Sequence, residues 1–153
     1  MSQSRILKQV IQYEKRVFYT ETGFGDITEC CDIDFTSPGQ YDEIYQHILI
    51  HKYYINQDNE EEISMEEAIL SWFNNLYLPI VTVIKNQHIL KKFRKRTPSD
   101  LYVWIIRYWD DLKRKFGDDV TIAKAAEEFT EKFGEGTGKR FINSLKAFLL
   151  KRH

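Results

Sequence analysis

The chain has 153 residues with a formal net charge of −1, and 42% of them are apolar and 14% aromatic. A chain of this length can bury a sizeable core, and this composition excludes an intrinsically disordered protein. No uninterrupted apolar run approaches the roughly 20 residues of a membrane span, and the charged N-terminal segment lacks the features of a secretory signal. We therefore expect a cytoplasmic protein that does not contact a membrane.

Apolar residues spaced three to four apart predict a first helix over residues 4–19. Residues 24–35 follow as a loop with room for a short extended piece. A second helix is predicted from Pro38 to about Ile55. In the Ser-Pro-Gly-Gln sequence at 37–40, the serine and the glutamine can form a capping pair around a proline at the first helical position.

Capping boxes predict the next two helix starts, at Ser64 and at Thr97. Pro79 interrupts the first of these helices. Because proline lacks an amide donor and clashes with the carbonyl one turn back, we expect a kink or break there. The second helix runs over 98–116 and ends at Gly117, and its wide apolar band predicts the most buried helix of the protein.

A further helix is predicted from Thr121 to the residue before Gly134, and residues 137–152 form a last amphipathic helix. No alternating strand pattern and no internal repeat is present in the sequence. We therefore predict a compact all-α fold of six to seven helices in a single domain over 1–153. Its parts are an N-terminal helix and loop at 1–35, a helical core at 36–133 and the C-terminal helix at 137–152.

The chain contains two cysteines, Cys30 and Cys31, which are neighbours. Adjacent cysteines rarely form a disulfide, because the bond needs Cβ vectors that meet. A zinc or redox role would require a C-x-x-C pair or further Cys and His partners. We expect two reduced thiols near a turn.

Glu43, His47 and His51 stand one turn apart on the second predicted helix, a spacing that a divalent metal can use. The zinc-protease pattern would require a glutamate at the position of Ile48. The alternative is a pair of partly buried histidines satisfied by backbone or carboxylate partners. Since the sequence contains no complete catalytic signature, we expect a non-enzymatic protein without a cofactor, and these three side chains are only a weak metal candidate.

A set of aromatic residues in the third and fourth predicted helices has two interpretations. Aromatic rings can stack on the bases of a single strand. At helical spacing in a short protein they more often form the core or a partner interface, and we favour the core. The residues are Trp72, Phe73, Tyr102, Trp104, Tyr108 and Trp109.

Positive and negative charges are divided between the two halves of the chain. Residues 1–84 carry 5 Lys and Arg against 14 Asp and Glu, a net of −9, whereas residues 85–153 carry 17 against 9, a net of +8. Such asymmetry indicates a nucleic acid or another acidic partner for the second half. It can equally join the two halves, within one molecule or across a dimer.

Five basic residues between positions 91 and 96 are the strongest positive feature. Lysine and arginine neutralise phosphates, and the free amides at the start of the helix at Pro98 would also suit a phosphate. A run of charge can also be no more than solvated surface. The candidate nucleic-acid-binding residues are Lys91, Lys92, Arg94, Lys95, Arg96, Lys113 and Arg114, with Lys85, His88, Arg107 and Lys115 close to them in sequence.

Three stretches of the chain resemble a bacterial family of transcriptional regulators that carry a ParB/sulfiredoxin-like N-terminal domain before a helical region. They are "IDFTSPGQYDEIYQHILIHKYY" (33–54), "EEISMEEAILSWFNNLYLPIVTVIKNQHILKKF" (61–93) and "RTPSDLYVWIIRYWDDLKRKFG" (96–117). The family pattern is similar to F-P-G-R-T-x-x-D-L-Y-x-W, which Phe93, Arg96, Thr97, Asp100, Leu101, Tyr102 and Trp104 match. Arg94 and Lys95 stand where the family has Pro-Gly, and the D-G-H-H-R-type signature of the ParB-like domain is absent.

The resemblance implies the C-terminal helical module of such a regulator, acting alone or as part of a longer protein. Together with the basic residues, it favours a non-enzymatic module that contacts DNA, with a ParB-like domain or a second copy as further partners. The alternative is a protein-interaction or oligomerisation module that does not bind nucleic acid. A metal-dependent enzyme using Glu43, His47 and His51 is a distant third interpretation.

Overall fold

A computed structural model of the chain describes residues 2–28 and 32–136, and all regular structure within them is helical. The predicted all-α class is confirmed. The predicted helix at 137–152 and the cysteine pair lie outside the described residues. The α-helices are α1 (Gln3–Thr22), α2 (Phe24–Ile27), α3 (Gln40–Asp58), α4 (Met65–Trp72), α5 (Leu78–Asn86), α6 (Pro98–Phe116) and α7 (Ile122–Phe133), with a π-helical turn at Phe73–Tyr77 and a 3-10 turn at Ile89–Lys92.

The internal contacts of the chain separate into two compact units, Met1–Pro79 (the N-terminal unit) and Ile80–His153 (the C-terminal unit). In the N-terminal unit, α1 packs against α3 and α4, and the short α2 fills the space between α1 and α4. In the C-terminal unit, α6 packs along α7. The organisation as a single domain over 1–153 stays a prediction.

The first helix ends where the glycines predict, but the next residues are not a simple loop. Gly23 has a left-handed backbone (φ 66°), and its N–H donates to the carbonyl of Tyr19 at 2.9 Å, which is a common helix ending. The single turn α2 then places Phe24, which is fully buried, against the rings of Phe18 and Phe73. Four residues are too few for helical periodicity to be visible in the sequence.

The start of α3 corrects the prediction for residues 37–40. The helix begins at Gln40, and no side chain caps it from within its own sequence. Gly39 takes the cap position with φ 84°, and its N–H donates to the carboxylate of Glu14 on α1 at 2.9 Å. A contact between two helices thus replaces the predicted local cap. The helix also continues past the predicted end at Ile55 to Asp58.

Pro79 does not break its helix, which stays continuous from Met65 to Asn86. The disturbance takes the form of the π-helical turn that immediately precedes the proline, where the N–H of Leu78 donates to the carbonyl of Phe73, five residues back. A π turn is wider than an α turn. It lies where an α-helical ladder would lose a donor and meet the proline ring. The rings of Phe73 and Tyr77 stack across this turn, with centroids 5.5 Å apart.

The fourth predicted helix matches α6, including both of its ends and its burial. Ten of its 19 residues are buried, more than in any other helix of the described residues. The capping box is formed: the Asp100 N–H donates to the Thr97 hydroxyl at 3.1 Å, and the Thr97 N–H donates to the Asp100 carboxylate at 3.0 Å. The box at Ser64 is formed in the same way. Gly117 closes α6 through a bond from its N–H to the carbonyl of Lys113.

One helix of the described residues, Met65–Asn86, is long and apolar enough on average to cross a membrane, although no uninterrupted apolar run is present in it. This similarity to a membrane-spanning helix concerns length and composition only, and the core helices of soluble proteins share both properties. In this protein 44% of the most apolar window is buried. Two exposed glutamates, Glu66 and Glu67, lie in its first turn. The helix is compatible with a soluble protein.

We predict that Thr97→Ala destabilises the protein by about 1–2 kcal/mol, because the substitution leaves the Asp100 N–H without its acceptor at the start of the most buried helix. Chemical denaturation gives the free energy of unfolding. Thr97→Ser keeps the hydroxyl and should lose much less. Thr20→Ala, an exposed position inside α1, should have little effect. A loss as large in Thr97→Ser as in Thr97→Ala would contradict the role of the cap.

Candidate nucleic-acid interface

Two buried side chains of the C-terminal unit hold the basic segment, defined as residues 91–96. Ile89 precedes it and is 1% exposed, and Phe93 lies within it and is 5% exposed. The five basic side chains around Phe93 are all exposed. His88, which leads into the segment, has a left-handed backbone with φ 54°, the one such residue other than glycine in the described ranges. The segment is therefore a tight, anchored turn with charges on its outer side.

Phe93 anchors the basic segment through a cluster of aromatic rings. Its ring stacks on Phe129 of α7, with centroids 5.7 Å apart, and meets the edge of Trp104 of α6 at 6.2 Å. Phe129 is fully buried. Aromatic contacts of this kind contribute about 0.5–1.5 kcal/mol each beyond the burial of their area. The position of the charges thus depends on the core formed by α6 and α7.

The end of α7 holds the segment from the other side. The N–H of Glu135 donates to the carbonyl of Lys92 at 2.8 Å, and the Glu135 carboxylate accepts from the N–H of Arg94 at 3.2 Å. The Arg94 Nε lies 3.4 Å from the same carboxylate. Gly134 is required at this contact, because an added Cβ would lie 2.6 Å from the carbonyl oxygen of Thr130 and 3.1 Å from the Cβ of Lys92.

The five predicted phosphate-binding residues of the segment have different surroundings. Arg94 pairs with Glu135, and the guanidinium of Arg96 lies over the ring of Trp104, 5.0 Å from its centroid. Lys91, Lys92 and Lys95 are exposed, and their amines make no ion pair with the residues that the structure describes. These three lysines are the positive charges most available to an external anion.

Several of the backbone amides at the start of α6 that were candidates to bind phosphate are not free. Pro98 has no N–H, the N–H of Asp100 is taken by Thr97, and that of Leu101 donates to the Thr97 carbonyl at 3.2 Å. The buried Asp100 also places its own carboxylate at this end. Two of the N–H groups at this helix terminus are therefore used within the helix, which weakens the prediction that phosphate binds there.

The basic residues later in α6 are largely neutralised within the helix. Lys113 lies 3.5 Å from the Asp110 carboxylate and 3.8 Å from the ring centroid of Trp109. Arg114 lies 3.8 Å from Asp111. Arg107 is only 3% exposed, so it belongs to the core rather than to the basic edge. Lys85 and Lys115 are exposed and make no ion pair with the described residues, and the basic segment holds the densest group of such charges.

Glu43, His47 and His51 do not form a metal site in the structure. No three His, Cys, Asp or Glu side chains come together for a metal within residues 2–28 and 32–136. The His47 Nε2 lies 3.8 Å from the Glu43 carboxylate, but the His51 Nε2 is 2.8 Å from the hydroxyl of Ser71 on α4. His51 therefore links α3 to α4 through a serine hydroxyl, a partner that differs from the backbone or carboxylate group expected from the sequence.

The aromatic set belongs mainly to the core, as predicted. Trp72 and Tyr102 are fully buried, and Phe73, Trp104 and Tyr108 are at most 6% exposed. Trp109 is half-buried, and its indole N–H donates to the carbonyl of Val120 at 2.7 Å. Their buried faces are not available to stack on bases.

Comparisons of the chain with protein-family models, with curated proteins and with solved structures give no match. The resemblance to the ParB-associated regulators stays a prediction from the sequence. The function is therefore inferred from the geometry and charge of the basic segment.

We predict that Phe93→Ala lowers the free energy of unfolding by about 3–5 kcal/mol, since it removes a buried ring from the core. Phe116→Ala is the matched control, because Phe116 is 73% exposed, and we expect a change within about 0.5 kcal/mol. Urea denaturation measures both. Equal losses in the two variants would contradict the anchoring role of Phe93.

We predict that His51 makes the protein less stable as the pH falls. Burial lowers the pKa of His51 from its ordinary value of 6.5. The unfolded chain then binds more protons than the folded one, so stability falls as the pH drops from 6.5 toward the folded pKa. His51→Gln keeps a polar group for Ser71 and should lose less stability between about pH 7.5 and pH 5.5.

The control for this experiment is His88→Gln, which removes an exposed histidine. Urea denaturation at both pH values gives the loss of stability for the parent and the two variants. We expect the control to keep the parent's pH dependence. If His51→Gln kept the same dependence as the parent, another group would account for it.

Proposed function

We propose that this chain is a non-enzymatic, all-α module that binds duplex DNA through the basic segment. The observation that carries the proposal is the set of three exposed lysines, Lys91, Lys92 and Lys95, on a turn that is anchored to the core by Phe93. Because these amines have no acidic partner among the described residues, they can approach phosphates without first breaking an ion pair. The anchored turn keeps them together.

The expected binding is electrostatic and independent of sequence. Each lysine that neutralises a phosphate releases condensed counterions, which contributes about 0.9 to the slope of log affinity against log salt. Three lysines therefore predict a slope of roughly −3 from this surface alone. Phosphate contacts carry no sequence information directly, so a sequence preference would need further contacts to the bases.

The biological role proposed from the resemblance is a module of a bacterial transcriptional regulator acting in the cytoplasm. DNA contact through phosphates agrees with such a role, because it positions a protein on the duplex. The departure from the family at Arg94 and Lys95 lies inside the basic segment. Of these two, Arg94 is paired with Glu135, so Lys95 is the change that adds an available charge.

We predict that changing Lys91, Lys92 and Lys95 together to alanine weakens binding to a duplex about tenfold or more at about 50 mM salt and reduces the salt slope by roughly 3. Arg5, Lys8 and Arg16 of α1 changed together to alanine provide the matched control. They are exposed and change the net charge equally. Fluorescence anisotropy between about 50 and 200 mM salt measures both quantities.

Three results would contradict the proposal: no binding of the parent at low salt, an equal loss in the control variant, or an unchanged salt slope. The bond from the Glu135 N–H to the backbone carbonyl of residue 92 does not use the lysine side chain, so the alanine variant keeps it. Arg96 is left unchanged because its guanidinium packs on Trp104, and its removal would mix stability with binding.

The second candidate function is self-association or binding of another protein. One observation favours it: α1 exposes an apolar stripe, in which Ile6 is 48%, Leu7 41% and Val10 41% exposed. Apolar side chains at helical spacing on one exposed face are typical of a partner interface. Sedimentation of the parent at low and high salt, with and without duplex, separates the candidates. A dimer that is indifferent to DNA would support the second one.

A further inference from the structure

A cavity of about 260 Å³ lies between α1 and the beginning of α3, entirely within the N-terminal unit. Its walls combine aromatic rings with carboxylates. The bond from Gly39 to Glu14 joins the two helices at this place. The lining residues are Tyr13, Glu14, Val17, Phe18, Glu21, Gly39, Tyr41, Asp42 and Tyr45.

The lining carries three negative charges and no positive one. Glu21 and Asp42 make no ion pair with the described part of the chain. The nearest lysine in the sequence, Lys15, is turned to Asp34 on the loop before α3, at 2.6 Å, and is not part of the lining. The last turn of α1 has no basic residue, so the negative end of its dipole adds to the potential near Glu21. The cavity therefore favours a cation.

We propose that this cavity binds a small aliphatic amine that carries primary ammonium groups. An ammonium group has three N–H donors and no acceptor, which suits carboxylates and tyrosine hydroxyls. The rings around the cavity attract a cation through their negative faces. Val17 and Phe18 offer apolar surface to an alkyl chain. The aromatic rings of the lining would not coordinate a metal ion. A neutral ligand would not balance the charge of the three carboxylates.

The size of the cavity limits the ligand. A volume of 260 Å³ holds roughly eight or nine heavy atoms if each takes about the 30 Å³ of a water molecule. Glu14 and Glu21 are seven residues apart on α1, which is about 10 Å along the helix axis. A diamine with a chain of four or five carbons fits the volume, and its two ammonium groups suit acidic residues two helical turns apart.

This site is independent of the proposed DNA contact, since all of its lining residues precede Pro79 and the basic segment lies in the C-terminal unit. If experiment rejects one of the two proposals, the other is not affected. The two experiments also differ in their readout, because amine binding is measured without nucleic acid.

The first test is calorimetric titration of the full chain with 1,4-diaminobutane at constant ionic strength. We expect saturable binding of one molecule per chain, weaker binding of 1-aminobutane, and none of 1,4-butanediol, which has the same length without charge. Magnesium chloride serves as the control for general attraction of cations. Equal binding of the diol or of magnesium, or no saturable heat at millimolar diamine, would overturn the proposal.

The second test uses a charge variant with a matched control. Glu21→Gln combined with Asp42→Asn removes two lining charges and keeps the shapes, and we expect diamine affinity to fall about tenfold or more. Glu14 is kept because it holds Gly39. Glu60→Gln combined with Glu61→Gln changes the net charge equally at exposed positions outside the lining, and should stay within about twofold of the parent. Equal losses would indicate general electrostatics and reject the site.

The variant Val17→Phe tests the volume of the cavity without changing its charge. The larger side chain occupies the cavity and leaves every carboxylate in place, so we expect diamine binding to be lost or strongly reduced. Thermal melts of each variant establish that it is folded before titration. Unchanged binding by a folded Val17→Phe protein would place the ligand elsewhere and contradict the proposal.

Discussion

Phe93 joins the charged surface of this protein to its interior. Its ring lies among the rings of α6 and α7, while the residues on both sides of it in the chain are lysines and an arginine exposed to water. Burial of one large ring gives a favourable free energy that can offset the repulsion among neighbouring positive charges. Without such an anchor, five like charges in six positions would extend and move freely. The aromatic core therefore gives the basic segment a fixed shape as well as a fixed place.

Helix starts that depend on neighbouring residues could be predicted from the sequence, and one that depends on a distant residue could not. The boxes at Ser64 and Thr97 form as predicted, because each needs only residues within one turn. Residues 37–40 have the same pattern and yet do not form a cap. The amide of Gly39, at the cap position, instead donates to the Glu14 carboxylate 25 residues away, a contact that a local pattern cannot reveal. At Pro79 the sequence likewise predicts a kink or break, but not that the irregularity is a π turn.

The candidate interface could also be predicted only in part, because the sequence gives the charges but not their geometry. The sequence shows where the positive charges are, but it cannot show which of them are already paired. Arg107 lies in the core, and Lys113 and Arg114 pair with acids one turn earlier. At the start of α6, the N–H groups of Asp100 and Leu101 donate to Thr97. The lysines at 91, 92 and 95 stay without an ion pair among the described residues. The acidic neighbour of their turn, Glu135, lies against Arg94.

The bond between Glu14 and Gly39 also bears on how the N-terminal unit folds. Helix formation begins with a costly first turn, and a side chain close in sequence normally helps to close it. The acceptor for α3 is instead 25 residues away in the chain. The first turn of α3 can be capped in this way only once α1 is formed and in contact with it. The start of α3 thus depends on a tertiary contact with α1 rather than on the local sequence alone.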